Sequence, residues 1–260
     1  MAFRSPDCRT ARRSTVVTAL PVEYRASVWY ACYVTEPALR ALLLDYGGTL
    51  DGDARHWFDH FLELYARCGV TLTPATLKPA FYAADEALAA EPDVRRFGLE
   101  RMTEAHVRLQ LAALGTNDGA LARRLVDAFV ADTRSAWDRN RPVLQRLARA
   151  FRLGVVSNSS GNMPALLAEA GLAPFEVIID SALVGVRKPD PGIYALAARR
   201  LDLPPSAILH TGDSWERDVA PARAAGMRAA WLAAPEMAAP AVLDGVARIA
   251  SLGELESLVA

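Results

Sequence analysis

The sequence predicts an α/β protein built on a doubly wound parallel sheet, and three observations support this prediction. From residue 139 to the C terminus, short apolar runs alternate with amphipathic stretches of helical length, which is typical of parallel strands joined by right-handed crossover helices. An apolar run at 41–44 has the composition of another buried strand and is followed directly by Asp45 and two glycines. Residues 54–138 show helical periodicity without a convincing strand, which predicts a helical domain inserted after the first strand.

The composition is that of a globular protein with no general affinity for polyanions. Of the 260 residues, 52% are hydrophobic and 23% are charged, and the formal net charge is -1. We therefore expect neither nucleic acid nor a membrane as a partner, and no apolar run reaches the roughly 18 residues of a membrane span. Cys8, Cys32 and Cys68 are scattered without a CxxC pair, which argues against a zinc ribbon or a disulfide scaffold and fits a cytoplasmic protein.

Three segments are expected along the chain. Residues 1–40 form an N-terminal extension without assigned chemistry, in which 27–34 is either a candidate edge strand or part of a flexible tail. Residues 41–53 and 139–260 form the α/β core, and 54–138 form the helical insertion. The sequence leaves open whether the protein is a monomer or a homodimer.

Four helices are predicted in the insertion, at 55–68, 73–90, 99–114 and 120–137. Thr73 precedes a proline and is expected to cap the second helix. Gly69 and Gly115 stand where C-terminal caps are expected. A long insertion at the carboxyl edge of a sheet usually covers a site.

After Arg141-Pro142 the α/β alternation begins with a separate helix. Helices are predicted at 143–151, 163–170 and 193–201, with one more that follows Asp218 and closes at Gly226, and strands at 153–156, 175–179, 207–211, 228–232 and 247–251.

Polar side chains follow three of the predicted strands: Asp45, Ser157, and Asp213 with Asp218. Lys188, one of only two lysines in the chain, precedes a helix in the same layer. The carboxyl ends of parallel strands meet at one edge of a sheet, so these side chains can converge. Three carboxylates together repel one another and need a cation, for which Mg²⁺ is suited. With a lysine and a hydroxyl facing an anion, the set predicts phosphoryl transfer, with Asp45 as nucleophile.

These segments resemble, in order, the four motifs of the haloacid dehalogenase superfamily. The matching segments are Asp45-Tyr46-Gly47-Gly48-Thr49, Ser157 after Val155-Val156, Lys188 within Arg187-Lys188-Pro189-Asp190, and Gly212-Asp213-Ser214 with Asp218. The resemblance covers about residues 40–260, and the helical insertion is similar to the small helical cap of that family.

The resemblance implies a Rossmann-like core and a hydrolase that removes phosphate from a small phosphorylated metabolite. It implies catalysis by Asp45, which becomes an aspartyl-phosphate, and by Lys188. It implies substrate contacts from Gly48, Thr49, Ser157, Asn158 and Lys188. It implies a Mg²⁺ site formed by Asp45, the Gly47 carbonyl, Asp213 and Asp218.

The sequence departs from the family pattern at Gly47, where phosphatases of the family carry a second aspartate as general acid/base. General acid–base catalysis contributes typically ~10²–10⁴-fold. The deficit can be tolerated if the leaving group is a good one, as in an acyl phosphate or anhydride. It can also be tolerated if another group carries the proton, from the cap or from Asp51 or Asp53. The third possibility is a weak module that binds phosphorylated ligands with little turnover.

Two other activities also lack this aspartate. Dehalogenases need no metal, whereas the segment with Asp213 and Asp218 keeps acidic residues of the metal-binding type, which argues against dehalogenation. Phosphonate hydrolases use a cap lysine, and Lys78 is the only candidate, although a solvated helix position is expected for it. His56 and His60 are four apart and could share a metal, but we expect them on a solvated helix face because no third ligand is nearby.

Overall fold

The computed structural model describes residues 37–52, 54–235, 237 and 245–260. Within them, six strands form one parallel sheet in the order β3-β2-β1-β4-β5-β6. The strands are β1 (Ala41–Leu44), β2 (Arg152–Ser157), β3 (Phe175–Asp180), β4 (Ile208–Gly212), β5 (Arg228–Leu232) and β6 (Val246–Ile249). The predicted doubly wound α/β fold is confirmed, and the strand order reverses between β1 and β4. The candidate strand at 27–34 lies outside the described residues.

The chain between β1 and β2 is helical, as predicted. It contains α1 (Trp57–Arg67), α2 (Pro74–Leu88), α3 (Leu99–Ala113), α4 (Gly119–Leu147) and a 3-10 turn (Val94–Arg96), and we call residues 57–147 the helical insertion. Thr73 caps α2, because its hydroxyl accepts a hydrogen bond from the Thr76 N–H at 3.2 Å. Gly69 and Gly115 follow α1 and α3 with φ of +82° and +77°, the left-handed conformation that glycine adopts readily.

The predicted break at Arg141-Pro142 is wrong, because α4 runs through Pro142 as one helix of 29 residues. A proline inside a helix costs about 3 kcal/mol. The residues that flank this position, Trp137, Leu144 and Leu147, are buried in the hydrophobic core. Burial of a large apolar side chain stabilises the folded state by about 1.5–3 kcal/mol. Burial of this continuous apolar face outweighs the hydrogen bond that Pro142 cannot donate. The predicted domain limits at 53/54 and 138/139 stay predictions, and the second falls within α4.

The remaining helices connect or follow the strands. They are α5 (Met163–Ala170), α6 (Ser181–Val184), α7 (Gly192–Leu201), α8 (Ala220–Ala224) and α9 (Leu255–Val259), with a π-helical turn at Trp215–Val219 and 3-10 turns at Pro205–Ala207 and Leu252–Glu254. Among the residues that the structure describes, no helix combines the length and the apolar character needed to span a bilayer.

Strand β1 is buried on both faces, which explains its continuous apolar sequence. Leu42 and Leu44 pack into a core shared with the helical insertion, whereas Ala41 and Leu43 pack into the core on the other side of the sheet. Successive side chains of a strand point to opposite faces of the sheet. Because both faces are buried here, all four residues of β1 are apolar. The strand therefore delivers the next residue, Asp45, to the centre of the sheet edge.

The centre of the sheet is packed so closely that Gly154 of β2 has no room for a side chain. A Cβ there would lie 2.6 Å from Leu43 Cδ2 and 3.0 Å from the Val177 carbonyl oxygen. Gly154→Ala is therefore expected to destabilise the protein by about 1–3 kcal/mol, measured as a lower thermal midpoint. Gly119→Ala is the matched control, because a Cβ at Gly119 meets nothing within 4 Å. A Gly154→Ala protein that melts with the control would contradict this packing.

Candidate active site

Asp45 occupies the point where the strand order reverses. Its N–H donates to the Thr211 carbonyl at 2.9 Å, which extends the pairing of β1 with β4 by one residue. Its Oδ1 accepts a hydrogen bond from the Tyr46 N–H at 2.7 Å. In doubly wound sheets, ligands bind in the crevice outside the strand ends at this reversal.

Lys188 links two carboxylates at this edge. Its Nζ lies 2.7 Å from Asp45 Oδ1 and 2.6 Å from Asp218 Oδ1. Asp213, which follows β4, completes the cluster, and one carboxylate oxygen from each of the three aspartates lies within 4.8 Å of the others. All four side chains are buried. The structure thus brings together the predicted nucleophile, lysine and acidic metal ligands.

The three carboxylates differ in how well their charge is balanced. Burial raises the pKa of Asp213 well above its usual value, and the neighbouring Asp218 and Asp45 raise it further. Burial also raises the pKa of Asp45, against the opposing effect of Lys188. Burial disfavours the charged form of Asp218 as well, but Lys188 and His210 outweigh it and hold its pKa below the usual value. The charged forms of Asp213 and Asp45 are therefore less well stabilised by their surroundings than that of Asp218.

This donor set fits a hard divalent cation. Asp213 has no ion pair among the described residues, and Lys188 is the one cation shared by the other two aspartates. Oxygen-only ligands with excess negative charge favour Mg²⁺ or a similar ion over softer metals. Asp45, Asp213 and Asp218 are the residues that could hold it.

Glycines allow the acidic loops to approach each other. A Cβ at Gly48, whose φ is +78°, would lie 2.5 Å from Asp213 Oδ2. A Cβ at Gly212 would overlap the Asp218 carboxyl group. The Asp218 Oδ2 also accepts a hydrogen bond from the Ser214 N–H at 3.1 Å. Neither glycine can be replaced without moving a carboxylate.

Lys188 is held in place by Asn158, which follows β2. The Asn158 side chain donates to the Lys188 carbonyl at 2.9 Å and accepts from the Lys188 N–H at 2.8 Å. Asn158 thus positions the lysine, and its predicted contact with substrate stays a prediction. Ser157 ends β2, is buried and lines the cavity described next.

A cavity of about 620 Å³ lies between this edge of the sheet and the helical insertion. Asp45, Gly47, Ser157, Asn158 and Lys188 are among the residues that line it, whereas Gly48 is not, so the predicted substrate contact of Gly48 stays a prediction. Thr49 does not line it: the side chain is fully buried and its hydroxyl has no hydrogen-bond partner among the described residues. The predicted contact between Thr49 and the substrate therefore stays a prediction, and it requires the loop after β1 to change conformation.

Trp57 of α1 lies against Gly47, the position at which the resemblance implies an aspartate in phosphatases. A Cβ at Gly47 would be 3.5 Å from Trp57 Nε1. The indole N–H donates to Asp51 Oδ2 at 2.7 Å, and Asp51 Oδ1 accepts from the Gly48 N–H at 2.8 Å. Burial raises the pKa of Asp51 to about 7, although both hydrogen bonds oppose this shift. Asp51 does not line the cavity, and Asp53 lies outside the described residues.

The expectation of a solvated face for His56 and His60 is wrong. His60 is buried, with Nε2 2.9 Å from Asp132 Oδ2, because α1 packs on α4 along this side. His56 lines the cavity, and its Nδ1 accepts a hydrogen bond from the Phe58 N–H at 3.1 Å. Burial and Arg217 lower the pKa of His56 to about 4, so the ring is neutral near pH 7. Its N-cap position just after the Gly47 loop is the sequence signal that could have pointed to the cavity.

Known proteins resemble this chain in both sequence and fold. A family model for haloacid dehalogenase-like hydrolases matches residues 39–226. Haloacid dehalogenase-like hydrolase domain-containing protein 3 of Bos taurus is 37% identical over 112 residues, which is 43% of this chain and 45% of that protein. The 5-amino-6-(5-phospho-D-ribitylamino)uracil phosphatase YigB of Escherichia coli is 30% identical over 148 residues, covering 55% of this chain and 60% of that protein. The matched segment thus spans about half the length of these relatives.

The solved structure of the L-2-haloacid dehalogenase PA0810 has the same fold. It superposes with a TM-score of 0.54 at 23% identity and covers 85% of this chain and 99% of its own. The family model spans both the sheet edge with Asp45 and Lys188 and the helical insertion. Because that model matches more than two thirds of the sequence, the chain belongs to the haloacid dehalogenase-like hydrolases.

Proposed function

We propose that this hydrolase is a Mg²⁺-dependent phosphatase of a small phosphorylated metabolite, with Asp45 as nucleophile. The observation that carries the proposal is the buried cluster of Asp45, Asp213 and Asp218, bridged by Lys188 at the floor of the cavity. A phosphatase among the relatives supports the same reaction class.

Asp45 is held for attack on phosphorus. The hydrogen bonds from Tyr46 N–H and Lys188 Nζ both fall on Oδ1, so Oδ2 is left to form the bond to phosphorus. The P–O bond to the leaving group then breaks, and the phosphoryl group stays on Asp45 until water removes it. Lys188 favours the ionised form of Asp45 against the effect of burial, and it balances the phosphoryl charge.

Asp45, Asp213, Asp218 and the Gly47 carbonyl would hold the metal. Bound Mg²⁺ supplies positive charge that lowers the repulsion among the carboxylates and the incoming phosphate. The convergence of three buried carboxylates, of which Asp213 has no ion pair among the described residues, is what makes these residues fit it.

Proton transfer to the leaving group is the weak point of the site. Gly47 offers no side chain, and Asp51 uses both oxygens to hold Gly48 and Trp57. His56 is neutral and its Nδ1 is occupied by the Phe58 N–H. We therefore expect good leaving groups to react much faster than alkoxides, and phosphate binding with weak turnover is the second candidate function.

Dehalogenation and phosphonate hydrolysis have less support than phosphatase activity. Carbon–halogen cleavage does not need the buried Asp213 and Asp218 pair. Schiff-base chemistry needs a lysine at the site, but Lys78 is exposed on α2 and does not line the cavity.

The nucleophile assignment is tested with Asp45→Asn and an activated aryl phosphate. We expect hydrolysis to fall by about 10³-fold or more, because the amide cannot accept the phosphoryl group. Asp127→Asn, an exposed aspartate on α4, is the control and should retain activity. Activity that survives in Asp45→Asn, or that persists after chelation of divalent metal, would exclude this mechanism.

The metal assignment is tested by thermal unfolding with and without Mg²⁺. At a concentration of about 100 times Kd, binding should stabilise the wild type by about 2.7 kcal/mol, or about 5–11 °C for a chain of this size. The Asp213→Asn variant should lose this rise in the thermal midpoint, because the amide has the shape of the carboxylate but not its negative charge. The Asp127→Asn variant should keep the rise. An equal rise in Asp213→Asn would place the ion elsewhere.

The missing acid is tested with the double variant Gly47→Asp/Trp57→Phe. Trp57 is replaced by the smaller phenylalanine because the indole ring faces the space that a carboxylate at position 47 needs. Hydrolysis of alkyl phosphates should increase by up to about 10²-fold relative to aryl phosphates, which do not need a proton. Gly47→Ala/Trp57→Phe is the matched control. An unchanged alkyl-to-aryl ratio would mean that the wild-type site does not lack an acid.

A further inference from the structure

The two walls of the cavity differ in charge: the sheet edge combines the Asp45 carboxylate with three cations, whereas the charged lining residues of the helical insertion are carboxylates. The sheet edge contributes Lys188, Arg187 and Arg217. The helical insertion contributes Asp85 and Glu86 from α2, and no lysine or arginine of the insertion is among the described residues that line the cavity. A ligand that fills the cavity with its phosphate at Lys188 therefore directs its other end at carboxylates.

Asp85 is oriented by two buried polar side chains. Its Oδ1 lies 3.0 Å from His106 Nε2, and His106 Nδ1 lies 2.7 Å from Gln110 Nε2. Because a carboxylate only accepts hydrogen bonds, His106 donates through Nε2, and its Nδ1 accepts from the Gln110 amide. Asp85 Oδ2 has no hydrogen bond within the described residues, so it is free to bind a ligand.

The aromatic core of the insertion fixes His106. Its ring stacks on Phe61 at 5.4 Å between centroids and meets Phe81 at 5.1 Å and Trp57 at 6.3 Å. Trp57 is also the ring that lies against Gly47. Asp85 is thus connected through packed side chains to the loop that follows the nucleophile.

Such a buried polar pair is costly to maintain. His106 and Gln110 are 1% and 0% exposed, and Gln110 Oε1 has no partner among the described residues. Buried polar groups of this kind destabilise a core unless they are fully hydrogen-bonded. Among the described residues, Asp85 is the cavity-lining residue to which the pair is hydrogen-bonded, which indicates that the pair serves to hold this carboxylate.

We propose that Asp85, positioned by His106 and Gln110, binds an ammonium group on the substrate, so that the substrate is a phosphate monoester with an amine at its far end. This inference rests on the proposed phosphatase function, since it assigns the phosphate to the Lys188 end of the cavity. A charged amine gains a charge-assisted hydrogen bond to Asp85 and attraction to Glu86, whereas a second anionic group would be repelled by both. A hydroxyl group would gain only the weaker neutral hydrogen bond.

The test compares three series of alkyl phosphates that differ only in the terminal group: amine, hydroxyl or carboxylate, with chains of two to four carbons. The amine series is expected to have kcat/KM about 10- to 100-fold above the hydroxyl series for the best chain length, and the carboxylate series is expected to be lowest. Hydroxyl or carboxylate substrates that equal or exceed the amines would overturn the proposal.

Variants then assign the preference to Asp85. Asp85→Asn should bring the amine-to-hydroxyl ratio close to one, and Asp85→Lys should reverse the preference toward carboxylates, a gain that misfolding cannot produce. His106→Phe should reduce the same ratio if His106 positions the carboxylate. Glu104→Gln removes one exposed acid of the insertion away from the cavity and should leave the ratio unchanged. An amine preference that survives in Asp85→Asn would exclude this residue.

Failure of the inference is distinguishable from failure of the proposed function. If 4-nitrophenyl phosphate and the alkyl phosphates are hydrolysed with Mg²⁺ but without an amine preference, the phosphatase function stands and the role of Asp85 is wrong. If 4-nitrophenyl phosphate is hydrolysed and the alkyl phosphates are not, the phosphatase function stands and the calorimetry described next decides the role of Asp85. If no phosphate ester is hydrolysed, the phosphatase function fails, and calorimetry with ω-aminoalkyl and ω-carboxyalkyl phosphonates still tests Asp85. Tighter binding of the amine series, lost in Asp85→Asn, supports the inference, and equal binding overturns it.

Discussion

The site depends on the pair of ion bridges that Lys188 makes to Asp45 and Asp218. Three buried carboxylates at one sheet edge repel one another, and in a low-dielectric interior a single cation between two of them makes the arrangement tolerable. That cation is itself held through its backbone by Asn158, so two loops from different strands must pack correctly before the charges can be buried. The third carboxylate, Asp213, has no ion pair among the described residues, and the proposed metal would supply the missing positive charge.

Gly47 and Trp57 form the second constraint, because they connect the nucleophile loop to the helical insertion. The indole contacts the space beside Gly47, and its N–H binds Asp51, which in turn binds the Gly48 N–H. Loss of an acidic side chain at Gly47 is thus accompanied by an aromatic contact that links loop and insertion. The same ring packs on His106, so the shape of the loop and the orientation of Asp85 are coupled.

Most of the sheet could be predicted because strand ends depend on local sequence. Apolar runs that stop at Asp45, Ser157 and Asp213 identify buried strands and their carboxyl ends, and parallel topology then requires those ends to share one edge. The continuity of α4 through Pro142 could not be predicted locally, since the proline penalty is offset by distant core contacts. His60 was misplaced for a similar reason: its partner Asp132 is on another helix.

The α/β topology, the family and the acidic cluster with its lysine can all be inferred from the amino-acid sequence. These features follow from short motifs whose chemistry and strand-end position are local. Three features are visible only in the folded chain: the burial of Thr49 away from the cavity, the hydrogen bond between Asp51 and Trp57, and the contact of His106 with Asp85 at the cavity wall. Each of these outcomes depends on contacts between segments far apart in the chain, and such contacts leave no periodic or local signal in a single sequence.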